Sequence, residues 1–173
     1  ALPAQMGKVS VPLLMTLLST LGAGLLWRAV EKLNVPQAWL IIPLYVFQPF
    51  FFGTSRVALT EPLAATLICA GFYFLVHRKW VLYALMGGLL PLARLELSLL
   101  LILWLIPLAK EKQWKAILVM AAPIVAWNLV GGILTGDFNY VFHQTFGLDK
   151  GINRYGQTTF LHYFERYWYV TGP

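Results

Sequence analysis

Long apolar stretches separated by short polar turns dominate the chain and predict helices that cross a membrane. Crossing about 30 Å of hydrocarbon takes roughly 20 apolar residues at a rise of 1.5 Å each. Stretches of this kind, some of them shorter, occupy residues 11–30, 38–53, 62–76 and 114–134. Thr60 is a candidate N-cap for the third stretch, and Pro62 suits a first helical turn, where no backbone donor is lost.

Residues 80–109 form an apolar stretch that is too long for one span and has Pro91, Arg94 and Glu96 near its middle. A single helix of this length would measure about 45 Å and would place the basic turns at its two ends on opposite sides of the membrane. Two helices, residues 80–93 and 97–109, place both turns on one side. We therefore predict two short helices, which need a thinner membrane or burial among other helices.

Composition supports a membrane environment. Hydrophobic residues make up 59% of the 173 residues and charged residues only 12%, against about 25% charged residues in soluble domains. So few charges do not cover the surface of a soluble protein of this size. This excludes a soluble enzyme, a disordered tail and a nucleic-acid-binding domain, and it makes the lipid bilayer the first expected partner.

The distribution of charge predicts the orientation, because short cytoplasmic loops are enriched in Lys and Arg. The turns assigned to the inner side carry most of the basic residues: Arg28, Lys32, Arg78, Lys79, Lys110, Lys112 and Lys115. Five of the seven acidic residues fall on the outer side: Glu61, Glu96, Asp137, Asp149 and Glu165. The expected fold is all-α, a multi-pass integral membrane bundle of six transmembrane or short membrane helices with both chain ends outside.

The chain divides into a transmembrane bundle, residues 1–135, and an outer-face aromatic segment, residues 136–173. Residues 159–170 of that segment read as an amphipathic helix lying in the membrane interface. It is either a membrane-lying loop or a lid over the outer face. The chain starts at Ala1 without a methionine and ends at Pro173 without a closing helix, so we expect it to be a piece of a longer protein.

Polar residues recur at three turns on the predicted outer side and form a candidate binding basin. Arg56 and Arg94 lie there against the general charge trend, and each has a glutamate within five residues, Glu61 and Glu96. Arginine grips phosphate or carboxylate groups with two parallel hydrogen bonds. The alternative is that Arg56–Glu61 and Arg94–Glu96 are local ion pairs that only hold their loops together.

Other motifs point to structure rather than chemistry. The residues that could ligate a metal are His143, His162 and Glu165. No further ligand lies at a spacing typical of metal sites, so no metal is predicted. The paired glycines Gly87 and Gly88, and the pair Gly132 and Gly136, allow close helix packing. The single cysteine, Cys69, excludes an intrachain disulfide.

Three segments resemble the GT-C superfamily of polytopic glycosyltransferases, which includes mannosyltransferases and aminoarabinose transferases. Residues 55–63 read SRVALTEPL and resemble the turn and helix start of that superfamily. Residues 87–96 read GGLLPLARLE and resemble its Gly-rich helix and Arg-x-Glu turn. Residues 136–140 read GDFNY and are similar to its Gly-Asp-Pro turn, with Phe138 in place of proline. The likeness covers residues 43–146.

The resemblance implies transfer of a sugar from a polyprenyl-phosphate-linked donor to an acceptor at the outer face of a bacterial inner membrane or an equivalent membrane. It implies a substrate pocket bordered by Arg56, Glu61, Arg94, Glu96 and Asp137. The family carries its catalytic acids in the first outer loop, which would precede Ala1, so no catalytic residue is assigned. The lipid-linked donor is the implied substrate, the residues support no cofactor or divalent metal, and the acceptor stays unidentified.

Two alternatives from other classes remain open. A transporter or flippase would use the same arginines to guide a lipid-linked or anionic substrate, and it would need polar residues in mid-membrane, where Asn128 is the main candidate. A non-catalytic membrane subunit would instead use the helices to pack against partners.

Overall fold

The computed structural model of the chain describes residues 2–47, 60–141 and 143, and this part is helical without any strand. The side chains of residues 2–9 and of Leu95 are not described. Its α-helices are α1 (Leu2–Lys32), α2 (Ile41–Val46), α3 (Glu61–Val76), α4 (Trp80–Ala93), α5 (Leu100–Lys110) and α6 (Trp114–Thr135). Two 3-10 helices, Ala38–Leu40 and Leu95–Leu99, precede α2 and α5. The all-α prediction is therefore confirmed for the described residues.

Two segments, Ser10–Lys32 and Trp114–Thr135, are long and apolar enough to cross a membrane. They contain the predicted spans 11–30 and 114–134. Helices α3, α4 and α5 have 16, 14 and 11 residues, which is shorter than an unaided span. Of the predicted span 38–53, only the short helices up to Val46 and the turn at Phe47 fall within the described residues.

The helix is interrupted at Arg94, as the prediction of two helices between residues 80 and 109 required. Arg94 has extended backbone angles, φ −151° and ψ 124°, so it cannot continue α4. Beyond the break, Trp104 of α5 returns to Tyr83 and Gly87 of α4, which means that α5 runs back along α4. The break and the 3-10 helix after it thus form the tip of a helical hairpin.

Trp104 fixes α5 against α3 and α4. Its indole nitrogen Nε1 donates a 2.9 Å hydrogen bond to the carbonyl oxygen of Tyr83. Its ring stacks on the Tyr83 ring with centroids 5.1 Å apart and an interplanar angle of 6°. Gly71 and Gly87 face the indole so closely that a Cβ on either would overlap it. The Trp104 ring can therefore pack here only because residues 71 and 87 have no side chain.

Gly88 provides the corresponding contact between α4 and α6, since a Cβ there would overlap the carbonyl oxygen of Met120. The structural role predicted for Gly87 and Gly88 is thereby confirmed. The prediction for Gly132 and Gly136 needs a correction, because among the described residues they do not pack two helices together. Gly136 ends α6 in the left-handed conformation, φ 76°, while Gly132 lies against Phe138 of the segment that follows.

The basic turns at residues 77–79 and 110–113 lie at the same end of the bundle, because α4 runs away from the first turn and α5 runs back. Both turns have the hydrogen bonds of a Schellman motif, with Arg78 and Lys112 at its left-handed position, φ 54° and 52°. Glycine usually occupies this position because a Cβ is strained there. The ion pairs of Arg94 lie at the opposite end.

The start of α3 corrects one expectation. Thr60 occupies the N-cap position, but its side chain makes no capping hydrogen bond. Its backbone is helical, φ −79° and ψ −11°, rather than extended as in most capped starts. Pro62 does lie in the first turn, as predicted, and Thr66 one turn later reaches across to α1, where its hydroxyl lies 2.9 Å from the carbonyl oxygen of Leu18.

Substitution of Gly87 by alanine is expected to destabilise the protein, because the buried, hydrogen-bonded Trp104 ring has nowhere to move. Overpacking of this kind costs about 1–3 kcal/mol. The matched control is Gly24→Ala in α1, where a new Cβ meets no atom within 4 Å. It should be neutral or stabilise by up to about 1 kcal/mol. The midpoint of thermal unfolding in detergent is measured for each variant. Equal midpoints would contradict the close packing of Trp104 against Gly87.

Substitution of Lys112 by glycine is expected to stabilise the turn by about 1 kcal/mol, because glycine adopts the left-handed conformation without strain. The neighbouring Glu111 has φ −89°, so Glu111→Gly relieves no strain and should destabilise through backbone entropy. Thermal midpoints of the two variants should move in opposite directions. A shift of the same sign in both would refute the strain argument.

Candidate functional site

An ion pair between the start of α3 and the end of α4 forms the centre of the candidate site. Nη1 of Arg94 lies 2.8 Å from Oε1 of Glu61, and the two residues are 33 positions apart in the chain. The antiparallel α3–α4 hairpin brings them together, since Glu61 is the first residue of α3 and Arg94 follows the last residue of α4. The pair therefore joins the two helices at their outer ends.

Glu96 is a second, weaker partner of Arg94. Its Oε2 lies 3.5 Å from Nε of Arg94, and its side chain is 73% exposed. The side chains of Arg94 and Glu61 are only 37% and 23% exposed. Because water screens exposed charges, the Arg94–Glu61 contact carries most of the interaction. The Glu96 carboxyl has a pKa below its ordinary value, chiefly because its own backbone N–H bonds to it, with a further contribution from Arg94.

Glu61 has a free acceptor position. Its second oxygen, Oε2, is buried and accepts no hydrogen bond in the part of the chain that the structure describes. Buried carboxylate oxygens are normally hydrogen-bonded. A donor such as a water molecule or a hydroxyl group would satisfy it after a small movement of the carboxylate.

The charge of this cluster limits what it can bind. Two carboxylates surround one guanidinium, so the three side chains together carry one negative charge. Carboxylates accept hydrogen bonds from hydroxyl groups, and the remaining N–H groups of Arg94 can donate to an oxyanion. The arrangement therefore suits hydroxyl groups, whereas an anionic group would need a further positive charge beside Arg94.

The predicted site residues are only partly brought together. Glu61, Arg94 and Glu96 form one cluster, whereas Arg56 lies outside the described residues. Asp137 is not in contact with this cluster. Its Oδ2 lies 2.5 Å from Nδ1 of His143, and its Oδ1 accepts a 2.9 Å hydrogen bond from the backbone N–H of Asn139.

The Asp137–His143 pair lowers the pKa of the Asp137 carboxyl, primarily through the hydrogen bond from His143 and secondarily through that from Asn139. Within the described residues, no three His, Cys, Asp or Glu side chains come close enough to hold a metal ion. His162 and Glu165, considered with His143 in the sequence, lie outside them, as does the predicted interfacial helix, residues 159–170.

Two contacts were missed by the sequence analysis. The pairing of Asp137 with His143 bridges six positions across a turn whose shape the sequence did not show. The sequence marks Asn128 only as the main mid-membrane candidate of the transporter alternative. In the structure its side chain bonds to the backbone of Phe138 and Val141. An amide within an apolar stretch was the available signal, because such a group needs a partner.

Comparisons with protein-family models, with curated proteins and with solved structures found no match for this chain.

A double-mutant cycle should separate the two partners of Arg94. Glu61→Gln and Arg94→Gln are expected to couple by about 1 kcal/mol or more, as partly buried neighbours do. The control pair, Glu96→Gln and Arg94→Gln, should couple by about 0.5 kcal/mol or less, because Glu96 is exposed. Unfolding free energies in detergent give both values, and a larger coupling to Glu96 would contradict the assignment.

The lowered pKa of Asp137 predicts that the stability of the folded state depends on pH. A carboxyl with a lowered pKa in the folded state stabilises that state above its ordinary pKa, and the contribution is lost as pH falls through the lowered value. His143→Ala should raise the pKa of Asp137 towards its ordinary value. The chain has only two aspartates, Asp137 and Asp149, so carboxyl NMR of aspartate-labelled protein can follow it. His77→Ala, at the opposite end, is the control and should leave the titration unchanged.

Proposed function

We propose that this chain is a multi-pass membrane protein that transfers a sugar from a polyprenyl-phosphate-linked donor at the non-cytoplasmic face. The long-range ion pair between Arg94 and Glu61 is the observation that carries the proposal. It places a half-exposed guanidinium and a carboxylate side by side at the end of the bundle opposite the basic turns. Such a pair can bind sugar hydroxyls and, together with a further positive charge, the phosphate of one donor.

The surface of the described residues supports a membrane environment beyond the two candidate spans. Large apolar side chains are exposed along α1, α5 and α6, including Leu17, Ile102 and Leu134, which are 59%, 64% and 79% exposed. In contrast, the largest fully buried side chains are only Leu90, Leu108 and Pro62. An apolar surface this extensive is unfavourable in water and is matched by lipid. The short helices α3, α4 and α5 would then cross within the bundle.

The orientation follows from the positive-inside rule. The turns that contain Arg78 and Lys112 share one end of the bundle, and short basic turns prefer the cytoplasm. The opposite end, with Arg94, Glu61 and Glu96, would then face the periplasm or an equivalent compartment. Polyprenyl-phosphate sugars offered on that side would meet the cluster at the membrane boundary.

Sugar transfer requires the site to stabilise the charge on the phosphate and to bind the sugar. Negative charge on the polyprenyl phosphate grows as the sugar leaves, and a fixed arginine stabilises that charge. The carboxylate of Glu61 holds the guanidinium in place through Oε1 and would offer Oε2 to a sugar hydroxyl after a small movement. Because the cluster carries one net negative charge, phosphate binding needs the additional positive charge that the sequence predicts at Arg56. No general base is assigned.

One residue bears on the transporter alternative. A flippase should show polar residues at mid-membrane on several helices, and Asn128 is the main candidate. Both hydrogen-bonding ends of the Asn128 amide are used by the chain itself, at 2.6 Å and 3.1 Å. An amide engaged in this way favours a structural role over a substrate pathway.

The experiment is binding and hydrolysis of a radiolabelled polyprenyl-phosphate sugar by the purified protein in vesicles, which needs no known acceptor. We expect Arg94→Gln to weaken donor binding at least 10-fold. The control is Arg28→Gln, which removes an exposed arginine paired with Glu31 at 3.4 Å, and it should bind as the wild type does.

Loss of binding in a single variant could also result from misfolding. The Glu61→Gln/Arg94→Gln double variant controls for this, because it leaves no unpaired buried charge. It should keep the wild-type unfolding midpoint but lose donor binding. Wild-type binding in this folded variant would overturn the proposal. Loss of assembly with a partner while sugar transfer persists would instead favour a non-catalytic subunit.

A further inference from the structure

The segment after α6 turns back along that helix instead of leaving it. Gly136 ends α6 in the left-handed conformation. Phe138 then lies against Gly132, and the ring of Tyr140 lies against Gly131. The absence of a Cβ on both glycines allows this close approach. We call residues 137–141 the return segment.

Asn128 determines how deep the return segment reaches. Its Nδ2 donates a 2.6 Å hydrogen bond to the carbonyl oxygen of Phe138, and its Oδ1 accepts a 3.1 Å bond from the N–H of Val141. Phe138 and Tyr140 lie against Gly132 and Gly131, three and four residues before Thr135, the last residue of α6. At 1.5 Å per residue, the segment reaches about 5–6 Å below the end of the helix.

The surroundings at this depth are apolar. Leu129, Val130 and Ile133 of α6 are exposed at the same levels, as is Phe138 of the return segment, at 66%. The 22 residues of α6 measure about 33 Å, close to the thickness of the hydrocarbon layer. If α6 crosses the membrane, Phe138 lies in the outermost part of that layer.

Hydrogen bonding in the return segment fits such a location. Backbone groups in hydrocarbon need partners, because no water is available to them. Besides the two bonds from Asn128, the N–H of Asp137 bonds to Thr135 Oγ1, and the N–H of Asn139 bonds to Asp137 Oδ1. The N–H of Tyr140 bonds to the carbonyl oxygen of Asp137. The Asn128 amide of α6 thus supplies partners for two backbone groups of the segment.

We propose that the return segment is a re-entrant loop that inserts Phe138 into the lipid acyl chains of the outer leaflet, with Asn128 as the residue that holds it there. The loop is an interaction surface for lipid, separate from the Arg94 cluster. It rests on α6 crossing the membrane and not on the proposed transfer reaction.

Spin labels test the depth directly. Cysteines are placed at Phe138, Leu118 or Lys112 in a Cys69→Ala background and labelled in phosphatidylcholine–phosphatidylglycerol vesicles. Leu118 is an exposed side chain on α6 and serves as the lipid reference, while Lys112 in the basic turn serves as the water reference. Collision with oxygen relative to a water-soluble nickel complex reports depth. We expect the label at 138 to match the lipid reference.

Each other outcome overturns part of the proposal. A label at 138 that matches Lys112, with Leu118 in lipid, would show that α6 crosses but the loop does not re-enter. A water signal at Leu118 as well would show that α6 itself does not cross.

The role of Asn128 is tested by Asn128→Leu in the protein labelled at 138. Loss of both backbone bonds should release the loop and raise collision with the nickel complex at least threefold. Trp127→Leu, at the exposed neighbouring position, is the matched control and should leave the depth unchanged. An unchanged depth in Asn128→Leu would overturn the assignment of Asn128.

Discussion

The position of Trp104 is the constraint on which the rest of the structure depends. Its ring is bounded by Gly71 of α3 and by Gly87 and Tyr83 of α4, and its nitrogen is bonded to the Tyr83 carbonyl. One side chain thereby fixes three helices relative to each other. Because α3 and α4 are held antiparallel, their outer ends meet, and Arg94 comes within hydrogen-bonding distance of Glu61. The candidate site is a consequence of packing that lies well below it.

Three polar side chains in this apolar chain have a partner at a distant position. Arg94 has Glu61, Asn128 has the return segment, and Thr66 has the carbonyl oxygen of Leu18 on α1. Unpaired polar groups are costly where water is scarce, so such contacts specify which helices pack together. The proposed active face and the proposed re-entrant loop both use groups of this kind. One of them, Arg94, is also exposed enough to meet a ligand.

The two proposals place different demands on the outer face. Sugar transfer would use the charged cluster at the α3–α4 tip, and the re-entrant loop would anchor the chain in lipid beside α6. They share the assumption that α6 crosses a membrane but no functional residue. The strained turns at Arg78 and Lys112 fit the same scheme, because a basic residue at a glycine position favours orientation at some expense of stability.

The sequence by itself determined the helical class, the break at Arg94 and the role of Gly87 and Gly88 in close helix packing. These features depend on local backbone chemistry and on the periodicity of apolar residues. Both are determined by residues that are close together in the sequence. It also singled out Glu61, Arg94 and Glu96, because charges in an apolar chain are rare. Only the tertiary structure decided that Arg94 pairs chiefly with Glu61, that Asp137 pairs with His143, and that Asn128 binds the return segment. These partners lie 33, 6 and 10 to 13 positions apart, and their contacts exist only after helix packing and chain reversal bring them together.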